Sequence, residues 1–360
     1  MENWVEIDLD RLKNNYLYMK NKTTSPICAV IKADGYGVGS YEIAKELENL
    51  GVKIFAVAFL KEAMDLRNFG IKSEILILNY IFPEKLKDLN DDTFIFTLYS
   101  LEQLNLYLEY DKLQNKRFHI KINSGMNRLG FDEGDIEKIV QLIIDNKLKI
   151  EGIYSHFSHV ENEKFTEKQY IDFNRICEKI EIRLNKKLLK HISNSGATLR
   201  NSNYNLDFVR VGMALYGLQP LKEKDNNIKG IVTWKSRISS IRQLKKGESI
   251  SYGNEVIEED KKLAIIPVGY SHGYMRQLGK DAYVLIKNKE VKIIGKILMD
   301  QMYIDVSSLE EVKIGDEVVL LGDGVEAEKV AEFSRTIADD IISKISPRIE
   351  RVFIKERSSE

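Results

Sequence analysis

The chain has 360 residues, 43% hydrophobic and 30% charged, with 54 Lys and Arg against 55 Asp and Glu for a formal net charge of −1. That balance describes a folded globular protein and excludes a disordered chain, a nucleic-acid footprint and a polybasic membrane patch. No apolar run reaches membrane-spanning length, and the acidic start Met1 to Asp8 lacks a signal peptide's basic region, so a cytoplasmic protein is expected. Cys28 and Cys177 sit in apolar contexts outside any metal or redox motif, which points to reduced core thiols.

The first informative stretch runs from Pro26 to Ile31, a β-branched apolar run that reads as a buried parallel strand and stops at Lys32. Gly35, Gly37 and Gly39 follow at alternate positions, then a helical pattern from Ser40 to Leu50. Glycines let the backbone approach a bulky ligand, and a helix start offers N–H groups suited to phosphate. A lysine at such a strand end can lose its proton and attack a carbonyl. The plainer reading is a snorkelling lysine before a glycine-rich turn.

Further apolar runs end near Ala58, Leu78, Thr97, Ile122, Tyr154, Ile192 and Val211, with amphipathic segments between them such as Leu101 to Tyr110, Ile136 to Leu148 and Glu167 to Leu189. Eight strand–helix units favour a closed (β/α)8 barrel of TIM type over a doubly wound open sheet. A polar stretch from Lys222 to Lys229 reads as a linker. Short alternating runs follow at Thr233–Leu244, Lys262–Pro267, Ala282–Ile286, Val291–Ile297, Tyr303–Val306 and Glu317–Leu321, with a late helix over Ala327–Ile337. The expected organisation is therefore a barrel over residues 1–228 and a mainly antiparallel β domain over residues 229–360.

In such barrels the working face lies at the C-terminal ends of the strands. Lys32, Arg128, His156, Ser195 and Arg210 follow or end strands one, five, six, seven and eight, so all five share one rim. Ser195, Gly196 and Gly212 fall in the loops where this fold builds a phosphate site. Each has an ordinary alternative. Arg128 could be a surface charge, and Ser195 could cap the next helix. His156 and His159 lack a third ligand, so no metal is expected. Arg210 is harder to dismiss, because a buried arginine needs an acceptor.

These stretches form a set: Val30-Ile-Lys-Ala-Asp-Gly-Tyr-Gly37, Ser124-Gly-Met-Asn-Arg-Leu-Gly130, Ser155-His-Phe157, Val209-Arg-Val-Gly-Met-Ala-Leu-Tyr-Gly-Leu218, Ser251-Tyr-Gly253, Pro267-Val-Gly-Tyr270 and Gly295-Lys-Ile-Leu-Met-Asp-Gln301. In this order the set resembles the alanine racemase family over nearly the whole chain. The resemblance implies an isomerase that interconverts L- and D-alanine with pyridoxal 5′-phosphate, works as a homodimer with shared active sites, and supplies D-alanine for peptidoglycan. It places Lys32 as Schiff-base lysine and one acid/base, and Tyr252 of the partner subunit as the other on the opposite face of the substrate carbon. His156 would stand beside that tyrosine, and Arg210 against the pyridine nitrogen. Tyr36, Ser195, Gly212 and Met213 match phosphate contacts, while Arg128 and the Met299 backbone match contacts to the substrate carboxylate. Lys121 matches a lysine carbamylated in some members. His191, Tyr270 and Asp300 match supporting positions.

The chain departs from the family at the entrance. Pro347 stands where a tyrosine is usual, Asp339-Asp340 where a tyrosine–glutamate pair is common, His272 for an acid and Lys296 for an arginine. A proline has no hydroxyl to donate, so a weaker phosphate grip and tolerance of serine are expected. The alternatives are thus a serine or broader-specificity racemase and, further off, a pyridoxal-phosphate decarboxylase. Family decarboxylases place an acid at the pyridine nitrogen and a cysteine in the second domain, both missing here. A carrier protein of the same barrel lacks a second domain, and a barrel aldolase carries its lysine later in the chain.

Overall fold

The computed structural model describes all residues except 88, 90, 110–112, 253–254, 279–280 and 356–360. Tyr110, the expected end of one helix, Gly253 of the Ser-Tyr-Gly motif and the last five residues of the second domain therefore lie outside the described residues.

Eight parallel strands stand side by side: Leu189–His191, Lys149–Tyr154, Arg117–Lys121, Phe94–Leu98, Glu74–Ile77, Ile54–Val57, Ile27–Val30 and Val209–Val211. They are short and nearly continuous in apolar residues, because helices cover their outer faces and the barrel interior their inner ones. The seam between the first and last of these strands is bridged by Asp207 N–H to Lys190 O and Arg210 N–H to Ser193 O, both 3.0 Å. The result is the nearly closed TIM-type barrel expected from the rhythm of the sequence. Its helices pack by periodicity: Ile136, Ile139, Val140 and Ile143 form the buried stripe of Ile136–Asp145.

The second sheet has nine strands, in the order Ser240–Leu244, Lys261–Ile266, Met302–Asp305, Lys289–Ile294, Tyr283–Ile286, Glu317–Leu321, Val232–Arg237, Asn3–Asp8 and Glu350–Ile354. Its pairings are antiparallel except the one between Asn3–Asp8 and Glu350–Ile354. One strand of this sheet comes from the opening segment of the chain. Residues 3–8 precede the barrel in sequence but pair with Val232–Arg237, burying Val5 and Ile7 in the second domain's sheet.

Other differences are local. The run Thr233–Leu244 is two strands broken at Ile238-Ser239. The helix expected over Glu167–Leu189 spans Glu163–Leu184, from the Asn162 cap, whose side chain accepts from Phe165 N–H, to Asn185 at φ +48°. The late helix ends at Ser334, with Arg335 in the left-handed region, and a second short helix follows at Ala338–Ser343. Among the described residues no helix is long and apolar enough to cross a membrane.

Candidate active site

Beyond the strand Ile27–Val30 the chain makes a left-handed turn. Ala33, Asp34, Gly35 and Tyr36 take φ of 54°, 53°, 61° and 58°. Left-handed geometry costs roughly 1–2 kcal/mol for each residue with a Cβ, so only Gly35 takes it freely. The turn carries the Tyr36 ring over the barrel mouth, where it stacks on Tyr216 with centroids 4.4 Å apart. The Tyr36 hydroxyl lies so near Gly212 that a Cβ there would be 2.5 Å from its oxygen. Glycine at 212 is thus required by a close approach, not by a turn. Ser195 Oγ completes this corner, accepting from Gly212 N–H at 3.1 Å. The cap of the helix Ser195–Arg200 is Asn194, whose side chain accepts from Ala197 N–H, so Ser195 is free of that duty.

The barrel floor is polar. Arg210 donates to His191 Nδ1 (2.7 Å), Ser155 O (2.7 Å), His191 O (3.1 Å), His156 Nδ1 (3.2 Å) and Ile192 O (3.3 Å), and its guanidinium lies 5.2 Å from the Tyr154 ring centroid. None of its acceptors among the described residues is a carboxylate. A guanidinium only donates, so His191 Nδ1 carries no proton and its Nε2–H points to His119 Nδ1, 2.9 Å away. His119 in turn keeps its proton on Nε2, which has no hydrogen-bond partner among the described residues. Burial, with Arg210 adding to it, holds His191 and His156 well below the usual imidazole range. Burial also lowers His119 to about 3. The His119 ring fills space that a Cβ at Gly152 would occupy.

His119 is a residue the sequence reading missed. Its signal was present: it lies two positions before Lys121 on one strand, so both face the barrel interior.

Above this floor lies a cavity of about 840 Å³. Lys32, Tyr36, Lys121, Arg128, His156, Ser195, Arg210, Gly212 and Met213 all line it, so nine of the sequence-derived positions share one space. His191 lies behind Arg210, outside the lining. Lys32, Lys121, Arg128, Arg210 and Lys222 line it, and Lys121 is buried and lowered to about 7 by burial first and then by Arg128, Arg210 and Lys32. Glu161 and Asp339 are the carboxylates on the wall. Asp339 reaches it because the helix Ala338–Ser343 docks against the Lys32 turn, where a Cβ on Gly37 would touch Ile342 O.

Tyr252, Tyr270, Met299 and Asp300 do not line this cavity. They form a separate group on the second sheet. Tyr270 N–H donates to Leu298 O and Ser271 N–H to Met299 O, while Gly269 packs against Leu298–Asp300 too closely for a side chain. Ser251 rests on Gly295 and Lys296, which brings Tyr252 to the same end of the sheet. Tyr252 is 76% exposed and Met299 60%. Pro347 is exposed nearby, one residue after Ser346, whose N–H donates to His272 O.

Fold and pocket together define the class: a two-domain enzyme whose parallel barrel sets an amine on its rim above a buried cation. Comparison makes the family specific. Residues 7–220 match the model of the alanine racemase N-terminal domain, and residues 231–353 that of the C-terminal domain. An alanine racemase of Clostridium tetani is 36% identical over 369 residues, spanning 98% of this chain and 95% of that protein. Alanine racemase 1 of Caldanaerobacter subterraneus is 35% identical over 364 residues, spanning 97% and 94%. A solved structure of alanine racemase from Clostridium difficile 630 superposes with a TM-score of 0.92 at 34% identity, covering 99% of this chain and 96% of that one. The chain belongs to the alanine racemase family.

Proposed function

We propose that this chain interconverts L- and D-alanine, using pyridoxal 5′-phosphate seated on the barrel rim and a second copy of the chain to complete each site. The observation that carries this reading is Arg210: a buried guanidinium with no carboxylate acceptor among the described residues, at the floor of the cavity that holds Lys32 and the Tyr36–Ser195–Gly212 corner.

The residues fit the cofactor part by part. Lys32 supplies the amine for its covalent attachment. Ser195 Oγ, the Tyr36 hydroxyl and the amides of Gly212 and Met213 form a donor set for its phosphate. Bound there, pyridoxal phosphate supplies the electron sink that acidifies the α-C–H bond of an amino acid. Arg210, a donor that does not give up its proton, would hold the ring nitrogen unprotonated, which would keep the sink shallow and limit side reactions. Lys32 and Tyr252 of the partner subunit act as proton donor and acceptor on opposite faces of the substrate carbon. Arg128 holds the substrate carboxylate, with the Met299 amide of the partner subunit opposite. Lys121, lowered to about 7, is a free amine in part at neutral pH and suits uptake of carbon dioxide as a carbamate beside Arg128. By family resemblance the enzyme is cytoplasmic and feeds peptidoglycan.

One observation favours a broader substrate range: Pro347 is an exposed, hydroxyl-free residue beside the Tyr270–His272 turn. Serine is the first candidate. Decarboxylation is disfavoured because Arg210 stands where an acid would be needed.

The deciding experiment is a chiral assay of the cofactor-loaded protein on L-alanine and L-serine, with borohydride fixation mapped by peptide mass. Racemisation of alanine with the adduct on Lys32 is expected. A fixed adduct elsewhere, or none, overturns the assignment, and faster turnover of serine moves the name to that substrate.

A further inference from the structure

The turn that carries Lys32 and Tyr36 is secured along most of its length by its own chain. Gly35 N–H donates to Ile31 O and Gly39 N–H to Asp34 O, both 3.0 Å, and Ser40 N–H donates to Asp34 Oδ1 at 2.9 Å. The exception is its first left-handed residue. Ala33 N–H donates instead to Glu62 Oε1 at 2.5 Å, across 29 positions of sequence.

Glu62 is already committed elsewhere. It sits in the first turn of the helix Leu60–Asn68, and its other oxygen accepts from Ala58 N–H (2.7 Å) and Phe59 N–H (2.9 Å). One carboxylate thus ties the exit of the strand Ile27–Val30 to the exit of its neighbour Ile54–Val57. Because Oε2 is fixed by two amides, Oε1 is aimed before the turn forms. Ala33 has a Cβ and φ of 54°, so it has little reason to hold this shape without an outside acceptor.

We propose that Glu62 is a positioning residue for the cofactor site, clamping the left-handed turn so that Lys32 and Tyr36 face the same cavity. The inference rests on the reading that these two residues hold pyridoxal phosphate. Without the clamp, Ala33 relaxes toward right-handed or extended geometry. Tyr36 then swings off Gly212, and Lys32 loses its aim at the position of the carbonyl it must attack.

Chemistry offers a selective test. Glu62→Gln keeps one acceptor oxygen for Ala58 and Phe59 but turns an NH₂ group toward Ala33 N–H, setting donor against donor. Ala33→Gly removes the reason for the clamp, since glycine takes positive φ freely. Two readouts are compared in wild type, Glu62→Gln and the double variant: pyridoxal phosphate affinity of the apo-protein by fluorescence titration, and amide hydrogen exchange of the peptide spanning residues 32–37 without cofactor. Glu62→Gln should weaken cofactor binding about tenfold and speed exchange in that peptide by a similar factor, a loss typical of one charge-assisted hydrogen bond. Ala33→Gly should recover most of the lost affinity. Unchanged exchange in Glu62→Gln overturns the clamp whatever the cofactor proves to be. Faster exchange with unchanged affinity, or no recovery on adding Ala33→Gly, overturns its link to the cofactor site. Wild-type protein that yields no borohydride adduct on Lys32 overturns the cofactor reading instead, and the exchange result still decides the clamp.

Discussion

In the barrel cavity Arg210 has five acceptors, Ser195 and Gly212 bond each other, and Tyr36 is stacked on Tyr216. In the second domain Met299 is held through its backbone carbonyl and Tyr252 follows a serine seated on Gly295 and Lys296, while both side chains stand in solvent. The first region is finished within one chain. The second is left open to solvent. A residue placed this way costs the isolated chain little, since a lone exposed side chain is ordinary, yet it can complete a site when two copies meet.

Mixing is the sharpest way to break that contrast. Lys32→Ala and Tyr252→Phe should each lower racemisation by roughly a thousandfold or more. Unfolded together in equal amounts and refolded, they should regain about a quarter of wild-type activity, because half the dimers carry one intact site in two. No recovery would show that both residues serve a site built within one chain.

The barrel floor offers the next effect. His119→Leu leaves the buried Nε2–H of His191 without an acceptor and should cost about 1–3 kcal/mol in urea denaturation. His119→Asn, whose Oδ1 can stand in for Nδ1, should restore much of it. pH gives an independent reading. Native His119 stays neutral down to about 3, while the unfolded residue takes a proton near 6.5. The unfolded state therefore binds more protons in between. This contribution to stability is complete above about 6.5 and is lost as pH falls towards 3, by about 1.4 kcal/mol per pH unit. The Asn variant should show a shallower loss between pH 6 and pH 4.

Lys121 should respond to bicarbonate at pH 8 with a mass gain of one carbon dioxide and a several-fold faster turnover, both absent in Lys121→Ala. Restoring tyrosine by Pro347→Tyr should be the mildest change, moving the serine-to-alanine ratio towards alanine by about three- to tenfold, the scale of one small group in a pocket. An unchanged ratio sinks the open-entrance idea.

The barrel was legible because parallel strands buried on both faces read as unbroken apolar runs, and the polar residues after five of those runs could be assigned to one rim. The strand Asn3–Asp8 was not, since its partners lie more than two hundred positions away and six residues carry no period of their own. The left-handed turn was hidden for another reason: Ala33, Asp34 and Tyr36 do not advertise positive φ, and what holds Ala33 there is a glutamate in the next βα unit. Ser195 was read as both cap and ligand, but the residue before it does the capping. Tyr252 carried no local signal of chemistry at all and was placed by family pattern alone.

The position of Asn3–Asp8 between Val232–Arg237 and Glu350–Ile354 also sets an order of events during synthesis. The barrel strands emerge after it and can close while this segment still waits for a neighbour. That neighbour is made only after Val211, and the other flank, Glu350–Ile354, later still. A segment made before the barrel thus finds its place after it, and contacts so distant in sequence form slowly.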